Sequence, residues 1–518
     1  MPKGEVGFVQ GFLGGVAADE PQAVLVGRDV LAAGGSAADA AVAVYFMLAV
    51  TMPASAGLAG GGICLVRGPK ANIVETIDFL GQRSTGANGA QVNVPGNPRG
   101  IFALHAKYGD LRWGELIRPA EQAARFGVQV SRAMAQEISR GAPIYGGSPE
   151  ARDVFIGRDG RPVSEGAVFE QQALSGLISR IRAHGPGDLY SGTFAQEFVA
   201  AAKAAGAALT YEDLRSFTPE WRGAVDIPFS TGISYFFPMP RSPAGTMAAK
   251  EAAILAIDRK FIKADEGERV HLLAEAIQRA IVDGGRGFQK IKAEGDDKNG
   301  ARIQLPEDYV ERLLDSYHAD RVVQLSANGI PSRIPEDAGG GTSFVVADRV
   351  GGAVSCSLTM NGRFGSGRMP RGTGVFLANP PSSVVERDLS LGNVMLVNRF
   401  RKKLYMVGAS SGGAAAQAAL VQTAFRASGN TPDNLEQAIA RKRIFRDPVT
   451  AVTYMEDGLA PASLNALRKR GHRLQSIPTM GRVNIAFCET GIPHKKPEDI
   501  SCEIKTDPRG AGHATSPG

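Results

Sequence analysis

The stretch that most constrains this chain runs from Gly339 to Asn361, GGGTSFVVADRVGGAVSCSLTMN. Three glycines end at Thr342, an apolar strand follows over Phe344–Ala347, and a tight turn is expected at Asp348–Gly352. The return strand carries Ser355, Ser357 and Thr359 on one face, because side chains alternate along a strand with a period of two. A hydroxyl residue behind a glycine run, facing a hydroxyl-lined strand, is what a self-cleaving N-terminal nucleophile needs. Glycine admits the backbone geometry in which a side-chain oxygen attacks the carbonyl that precedes it. Cleavage before Thr342 would free an α-amino group to act as base for the same residue's hydroxyl. A surface hairpin with a flexible glycine lead-in accounts for these residues as well, so the rest of the chain has to decide.

A chain of 518 residues has room for about two to four ordinary domains or for one large α/β enzyme. Its 43% hydrophobic and 21% charged content is that of a globular protein with ample core. The net charge of +6 is spread without a lysine or arginine block, which argues against a nucleic-acid partner. The start, MPKGEVGFVQGFLGG, lacks the basic and apolar regions of a signal peptide. A cytoplasmic location is therefore expected, or a periplasmic or secreted one if a leader precedes this sequence. The uncharged run Ala40–Val66 loses its apolar character at Pro53 and is too short to span a bilayer, so no membrane partner is expected. Cys64, Cys356, Cys488 and Cys502 form no CxxC pair, which argues against a zinc site. Cys488 and Cys502 flank a Pro/Gly-rich loop and would pair in an oxidising compartment; reduced thiols are the default expectation.

Along the chain, Asp19 and Pro21 mark a helix start and Gly34–Gly35 its end. Ser36 to Asp39 forms a capping box for a helix over Ala37–Val50, apolar on nearly every face and hence buried. Strands are expected at Ile63–Val66, pairing with Ile73–Phe79, at Val375–Leu377, and as a hairpin of Val394–Asn398 with Lys403–Val407. Helical spacing covers Trp113–Phe126, Phe194–Ala204, Met247–Ile257 and Val270–Gly284, and a further helix is expected from Thr431 to Lys442. Residues 141–165, rich in Gly, Pro, Ser and charge, read as a surface excursion.

Two constellations carry nucleophilic chemistry. One is Thr342. The other is Gly408-Ala-Ser410-Ser411-Gly412, which fits the G-x-S-x-G elbow between a strand and a helix, with Asp447 or Asp457 and His472 or His494 downstream. The same Ser410–Gly413 loop also fits an oxyanion hole made of backbone N–H groups at a helix start.

Eight segments together resemble the gamma-glutamyltransferases of the N-terminal nucleophile hydrolase superfamily. They are AAGGSAADAAVAV (32–44), SAGLAGGGICLV (55–66), VPGNPRGIFALHAKYG (94–109), LTYEDLRSF (209–217), HLLAEAIQRAIVD (271–283), GGAVSCSLTMNGRFGSG (351–367), GASSGG (408–413) and DPRG (507–510). The resemblance implies a four-layer αββα sandwich, one intertwined unit cut into residues 1–341 and 342–518 that stay associated. It implies transfer of a γ-glutamyl group from a glutathione-like small molecule to water or an amine, without metal or cofactor. It further implies that Thr359 hydrogen-bonds the nucleophile, that Asn361 contacts the substrate α-amino group, and that Gly412 with Gly413 forms the oxyanion hole; Ser410 and Ser411 lie beside these.

This chain departs from that pattern at several positions. The family has two threonines at the cut, whereas Gly341-Thr342 stands here. Counting back from Thr359 without a gap puts Gly341 in the nucleophile slot; a one-residue deletion in the Asp348–Gly352 turn would restore Thr342. The arginine expected directly after Asp78-Phe79 is Leu80, with Arg83 the nearest candidate. The acidic residue expected for the substrate α-ammonium falls at Ser382–Ser383, and of two adjacent serines only Ser390 remains. The reading is thus a gamma-glutamyltransferase-like amidohydrolase with an altered acyl site. The alternatives are an acylase for another acyl group, an uncut non-catalytic homologue, and a serine hydrolase using Ser410.

Overall fold

The computed structural model describes residues 12–68, 73–239, 247–284, 286–291, 302–332, 334–335, 339–381, 390–428 and 433–516. The strands that build its core are β1 (Gly14–Ala18), β2 (Gly61–Arg67), β3 (Val74–Asp78), β4 (Glu220–Ser230), β5 (Ile233–Pro238), β6 (Gly341–Asp348), β7 (Ala353–Thr359), β8 (Gly392–Asn398), β9 (Lys403–Ser411), β10 (Arg482–Ile492), β11 (Cys502–Thr506) and β12 (His513–Thr515). They run antiparallel in two stacked sheets. The first has the order β12-β1-β6-β7-β2-β3-β4 and the second β4-β5-β8-β9-β10-β11. β4 belongs to both: Glu220–Gly223 pair with β3 and Ala224–Ser230 with β5.

Alternation along the strands decides what each layer buries. Ala17, Leu65, Val345, Val407, Ala409 and Ala486 meet between the sheets. Phe344, Val346 and Leu358 face outward onto α1 (Pro21–Ala32) and α2 (Ala37–Thr51). α2 is buried at every residue and starts at the Ser36/Asp39 capping box. On the other side, α6 (Met247–Ala256), α7 (Glu266–Asp283) and α8 (Ala416–Ser428) cover Val394, Leu396, Val483 and Ile485. The result is a four-layer αββα sandwich. On the first side, α3 (Trp113–Phe126), α4 (Arg132–Tyr145) and α5 (Gln172–His184) add to the helical layer through Leu116, Ala133 and Leu174. No described helix is long and apolar enough to cross a membrane.

Four local expectations need correction. Residues 141–155 are not a surface excursion: α4 and a helix over Pro149–Phe155 carry the buried Tyr145 and Phe155, whereas 157–165 are surface turns as expected. These rings meet Phe364 at 4.8 and 5.5 Å and hold the turn that follows β7. Ser148 and Pro149 are helix-start residues, Pro149 at the first helical position, and Pro143 sits inside α4, so composition mimicked a loop. Val375–Leu377 pack in the core without joining a sheet. The helix expected from Thr431 is shorter, Leu435–Ala440, capped by Asn434; Thr431 and Pro432 lie outside the described residues. The cysteines are paired rather than reduced. Cys488 and Cys502 stand opposite one another on β10 and β11, and Cys64 joins Cys356 across β2 and β7. The second pairing links residues 292 apart in sequence, so only the sheet register reveals it.

Candidate active site

β6 starts at Gly341, after Gly339 and Gly340 in the left-handed region at φ 79° and 84°. A Cβ at Gly340 would also collide with the Gly362 carbonyl, so glycine is required there twice over. From the strand start to the turn the β6–β7 register is unbroken, Gly341 opposite Thr359, Thr342 opposite Leu358 and Ala347 opposite Ala353. The turn itself is closed by Asp348, whose Oδ1 accepts from the N–H groups of Val350 and Gly352 at 3.0 and 2.7 Å. No bulge brings Thr342 opposite Thr359. The Thr359 hydroxyl donates to Gly340 O at 3.2 Å and accepts from Asn361 N at 2.9 Å.

The Thr342 hydroxyl is fully buried and donates to Asp19 Oδ2 at 3.0 Å. Asp19 follows β1, the strand beside β6, and its carboxylate collects groups from three strands, β6, β9 and β10. Oδ2 also accepts from Ser343 N at 3.1 Å and Ser411 Oγ at 3.0 Å, and Oδ1 accepts from Asn484 Nδ2 at 2.7 Å. Asn484 in turn binds Ser343 Oγ at 3.0 Å. Arg482 at the start of β10 places Nε 3.8 Å from Asp19 and donates through Nη2 to Gly341 O at 3.2 Å. The peptide bond between Gly341 and Thr342 is thereby flanked by a carboxylate on its hydroxyl side and a guanidinium on its carbonyl side. A cavity of about 530 Å3 opens onto these two groups and is lined by Met52, Glu137, Arg140 and Arg509 as well.

Of the residues singled out in the sequence, Thr342, Thr359 and Ser411 gather here, with Gly412 and Gly413 directly after Ser411 in left-handed conformations. A Cβ at Gly341 would lie 3.8 Å from Ser411 Cβ, so that position is open to a side chain. Asn361 Nδ2 donates to Asn379 O at 2.8 Å. Arg83 is exposed and donates to Pro381 O at 3.1 Å. Leu80 is buried with Ile63 and Leu391, an apolar patch next to Ser390. Ser383 lies outside the described residues. Ser410 points into the α8 side and donates to Ala416 O at 2.7 Å. Among the described residues no grouping of three metal-binding side chains occurs.

Asp19, Arg482 and Asn484 were not found by reading the sequence. Asp19 beside Pro21 reads as a helix start, but the cap of α1 is Glu20, whose Oε2 accepts from Ala23 N at 3.0 Å. An acidic residue left over beside a complete cap was the available signal. Arg482 and Asn484 carried none, because their role depends on the stacking of the two sheets, which brings β10 to β6 across 141 residues of sequence.

The two histidines proposed for a Ser410 elbow are occupied elsewhere, the exposed His494 with Nδ1 bonded to Lys496 O at 3.0 Å and His472 in a buried chain of bonds. His472 Nε2 donates to His271 Nδ1 at 2.8 Å, His271 Nε2 donates to His318 O at 2.8 Å, and His472 Nδ1 accepts from Thr453 Oγ1 at 2.8 Å. This chain of bonds is complete with both rings neutral. Burial lowers His271 to about 4 and His472 to about 3, the latter pushed further by His271 and nearby arginines. Both folded values lie below the unfolded value near 6.5, so the stability held in the pair is complete above pH 6.5 and lost as pH falls through about 4 for His271 and about 3 for His472. Each histidine costs up to about 1.4 kcal/mol per pH unit in that window. The urea midpoint should therefore fall from pH 7 to pH 5, and His472→Asn should flatten that dependence. An equal slope in the variant would exclude the pair as its source.

The four-layer αββα sandwich places the chain in the class of N-terminal nucleophile hydrolases. Residues 23–516 match the family model described as gamma-glutamyltranspeptidase, and the chain belongs to that family of hydrolases and acyltransferases. The glutathione hydrolase proenzyme of Pseudomonas aeruginosa is 26% identical over 96% of this chain and 94% of its own. The Acylase ACY 1 proenzyme of Pseudomonas sp. is 28% identical over 93% and 91%. Among solved structures, cephalosporin acylase from Bacillus halodurans superposes with a TM-score of 0.76 at 20% identity, covering 100% of this chain and 99% of its own, a likeness of fold.

Proposed function

We propose that the chain is a self-processing amidohydrolase and acyltransferase that uses Thr342 as its nucleophile. Its substrates would be small-molecule acyl amides of the γ-glutamyl type, held less firmly at the amino-acid end of the acyl group. The observation that carries this reading is the Thr342 hydroxyl, buried behind two left-handed glycines and bonded to a carboxylate, with Gly412–Gly413 following its neighbour Ser411. Thr359 and the Gly412/Gly413 amides would serve the acyl intermediate and its oxyanion once the new N-terminus is free to move. Cross-strand cysteine pairs favour an oxidising compartment, periplasmic or extracellular, since such bonds are rare in the cytosol.

The weakened grip rests on Leu80 in its apolar patch and on Arg83, exposed and turned to Pro381. Turnover of γ-glutamyl-4-nitroanilide and glutaryl-4-nitroanilide tests it. Where no charged group holds the α-ammonium, its removal costs little, so kcat/KM for the two should agree within about tenfold, with a high KM for both. A γ-glutamyl preference above about 100-fold would show a working ammonium anchor and defeat the proposal of a loosened site. Absence of turnover with both would defeat the choice of acyl class.

A further inference from the structure

We infer that Asp19 and Arg482 drive the chain's own cleavage, Asp19 as proton acceptor for the Thr342 hydroxyl and Arg482 as the group that holds the Gly341 carbonyl oxygen. The inference rests on the self-processing reading and adds what that reading lacks. Before cleavage the Thr342 nitrogen is an amide, whose lone pair is delocalised, so the residue cannot supply its own base. The hydroxyl's partner among the described residues is Asp19 Oδ2, at 3.0 Å. Thr359 does not fill the role: its hydroxyl is bonded to Gly340 O, one carbonyl upstream of the bond to be broken. Gly341 O, the oxygen that would turn negative, receives Arg482 Nη2 at 3.2 Å. Arg482 carries its charge at every working pH, and here it is only 16% exposed, where a fixed charge acts more strongly than in water.

The surroundings keep Asp19 aimed. Asn484 pins Oδ1, while Ser343 N and Ser411 Oγ bind Oδ2 beside Thr342. In the reaction Thr342 Oγ1 bonds to the Gly341 carbonyl carbon, closing a five-membered ring, as its proton passes to Asp19. The carbonyl oxygen becomes an oxyanion against Arg482. The bond from the Gly341 carbon to the Thr342 nitrogen then breaks, and that nitrogen takes the proton from Asp19. An ester remains between Gly341 and Thr342. Water hydrolyses it to a Gly341 carboxylate and a free Thr342 hydroxyl, leaving the Thr342 amine as the new terminus.

The test follows the full chain from cell-free synthesis by intact mass under reducing, denaturing conditions, timing the fragment that begins at Thr342. Asp19→Asn keeps the shape of the side chain and an acceptor oxygen but not the proton acceptor, and should slow cleavage at least about 100-fold. Arg482→Met should slow it about 100-fold, with part of the rate restored in Arg482→Lys, which keeps charge without the fork. Ser411→Ala, which removes one donor to Asp19, should slow it by a few-fold and serves if Asp19→Asn does not fold. Hydroxylamine, which opens esters, should speed the wild-type chain and leave Asp19→Asn slow, because the ester does not form. Wild-type rates in Asp19→Asn and Arg482→Met would overturn the assignment and leave self-processing standing. Rescue of Asp19→Asn by hydroxylamine would also overturn it, since Asp19 would then act on the ester. A wild-type chain that never releases the fragment would overturn both readings.

Discussion

Thr342→Ala should yield a chain that stays in one piece and turns over no amide substrate. Both losses come from one atom. The hydroxyl is the group that would open the Gly341–Thr342 bond, and the nucleophile that the opened chain would present to substrate. The fold should survive, because the methyl of alanine retains the Cβ contact and the lost hydroxyl leaves Asp19 three other hydrogen bonds, from Ser343, Ser411 and Asn484. Intact mass and 4-nitroanilide turnover measure the two effects in one preparation. Activity that persists in Thr342→Ala and disappears in Ser410→Ala would transfer the chemistry to the serine elbow. The geometry weighs against that, since Ser410 is bonded to Ala416 O and His472 to His271 and Thr453. A wild-type chain of one mass after long incubation would support the uncut homologue, with Gly341 opposite Thr359 as the structural reason.

The largest stability effect is expected at the C-terminal DPRG segment, in Asp507→Ala. Asp507 Oδ2 binds Arg443 Nη2 at 2.5 Å and Val483 N at 2.9 Å, and Oδ1 binds Arg509 Nη1 at 3.1 Å. Burial pushes its carboxyl up, but Arg443 and Arg509 outweigh burial and hold it below the usual carboxylate range. Removing it leaves Arg443, a side chain only 2% exposed, with its charge unanswered from that side. Breaking one member of a buried pair typically costs about 3–5 kcal/mol. Because Val483 follows Arg482, the loss should also loosen the guanidinium beside the Gly341 carbonyl and slow self-cleavage. Urea unfolding gives the first quantity and the mass time course the second. A loss under about 1 kcal/mol would mean that Arg509 and Glu456 reorganise around Arg443.

Local signals were well preserved in the sequence, and long-range ones were not. The capping box at Ser36, the apolar run of α2 and the β8–β9 hairpin are decided within about a dozen residues, so their pattern survives in one dimension. The two layers of helices over two sheets followed only from the family resemblance, since β6 and β7 insert between β1 and β2 from over 270 residues away. The site divides the same way. Thr342, Thr359 and the Gly412–Gly413 turn stand in readable motifs. Asp19, Arg482 and Asn484 meet through the stacking of the two sheets, and residue type gave no reason to group them. The aromatic cluster of Tyr145, Phe155, Phe364 and Phe376 was hidden by the helix-start Ser and Pro residues around it.

The Cys64–Cys356 bond lies across the Gly341–Thr342 junction, one sulfur on each side of the cut. Once that peptide bond opened, the two polypeptides would remain a single covalent molecule, heavier than the precursor by one water. Electrophoresis without a thiol would show one band before and after processing, and only reduction would separate the products. A mature enzyme of this architecture would resist dissociation on dilution, because its halves would be joined through the middle of a sheet.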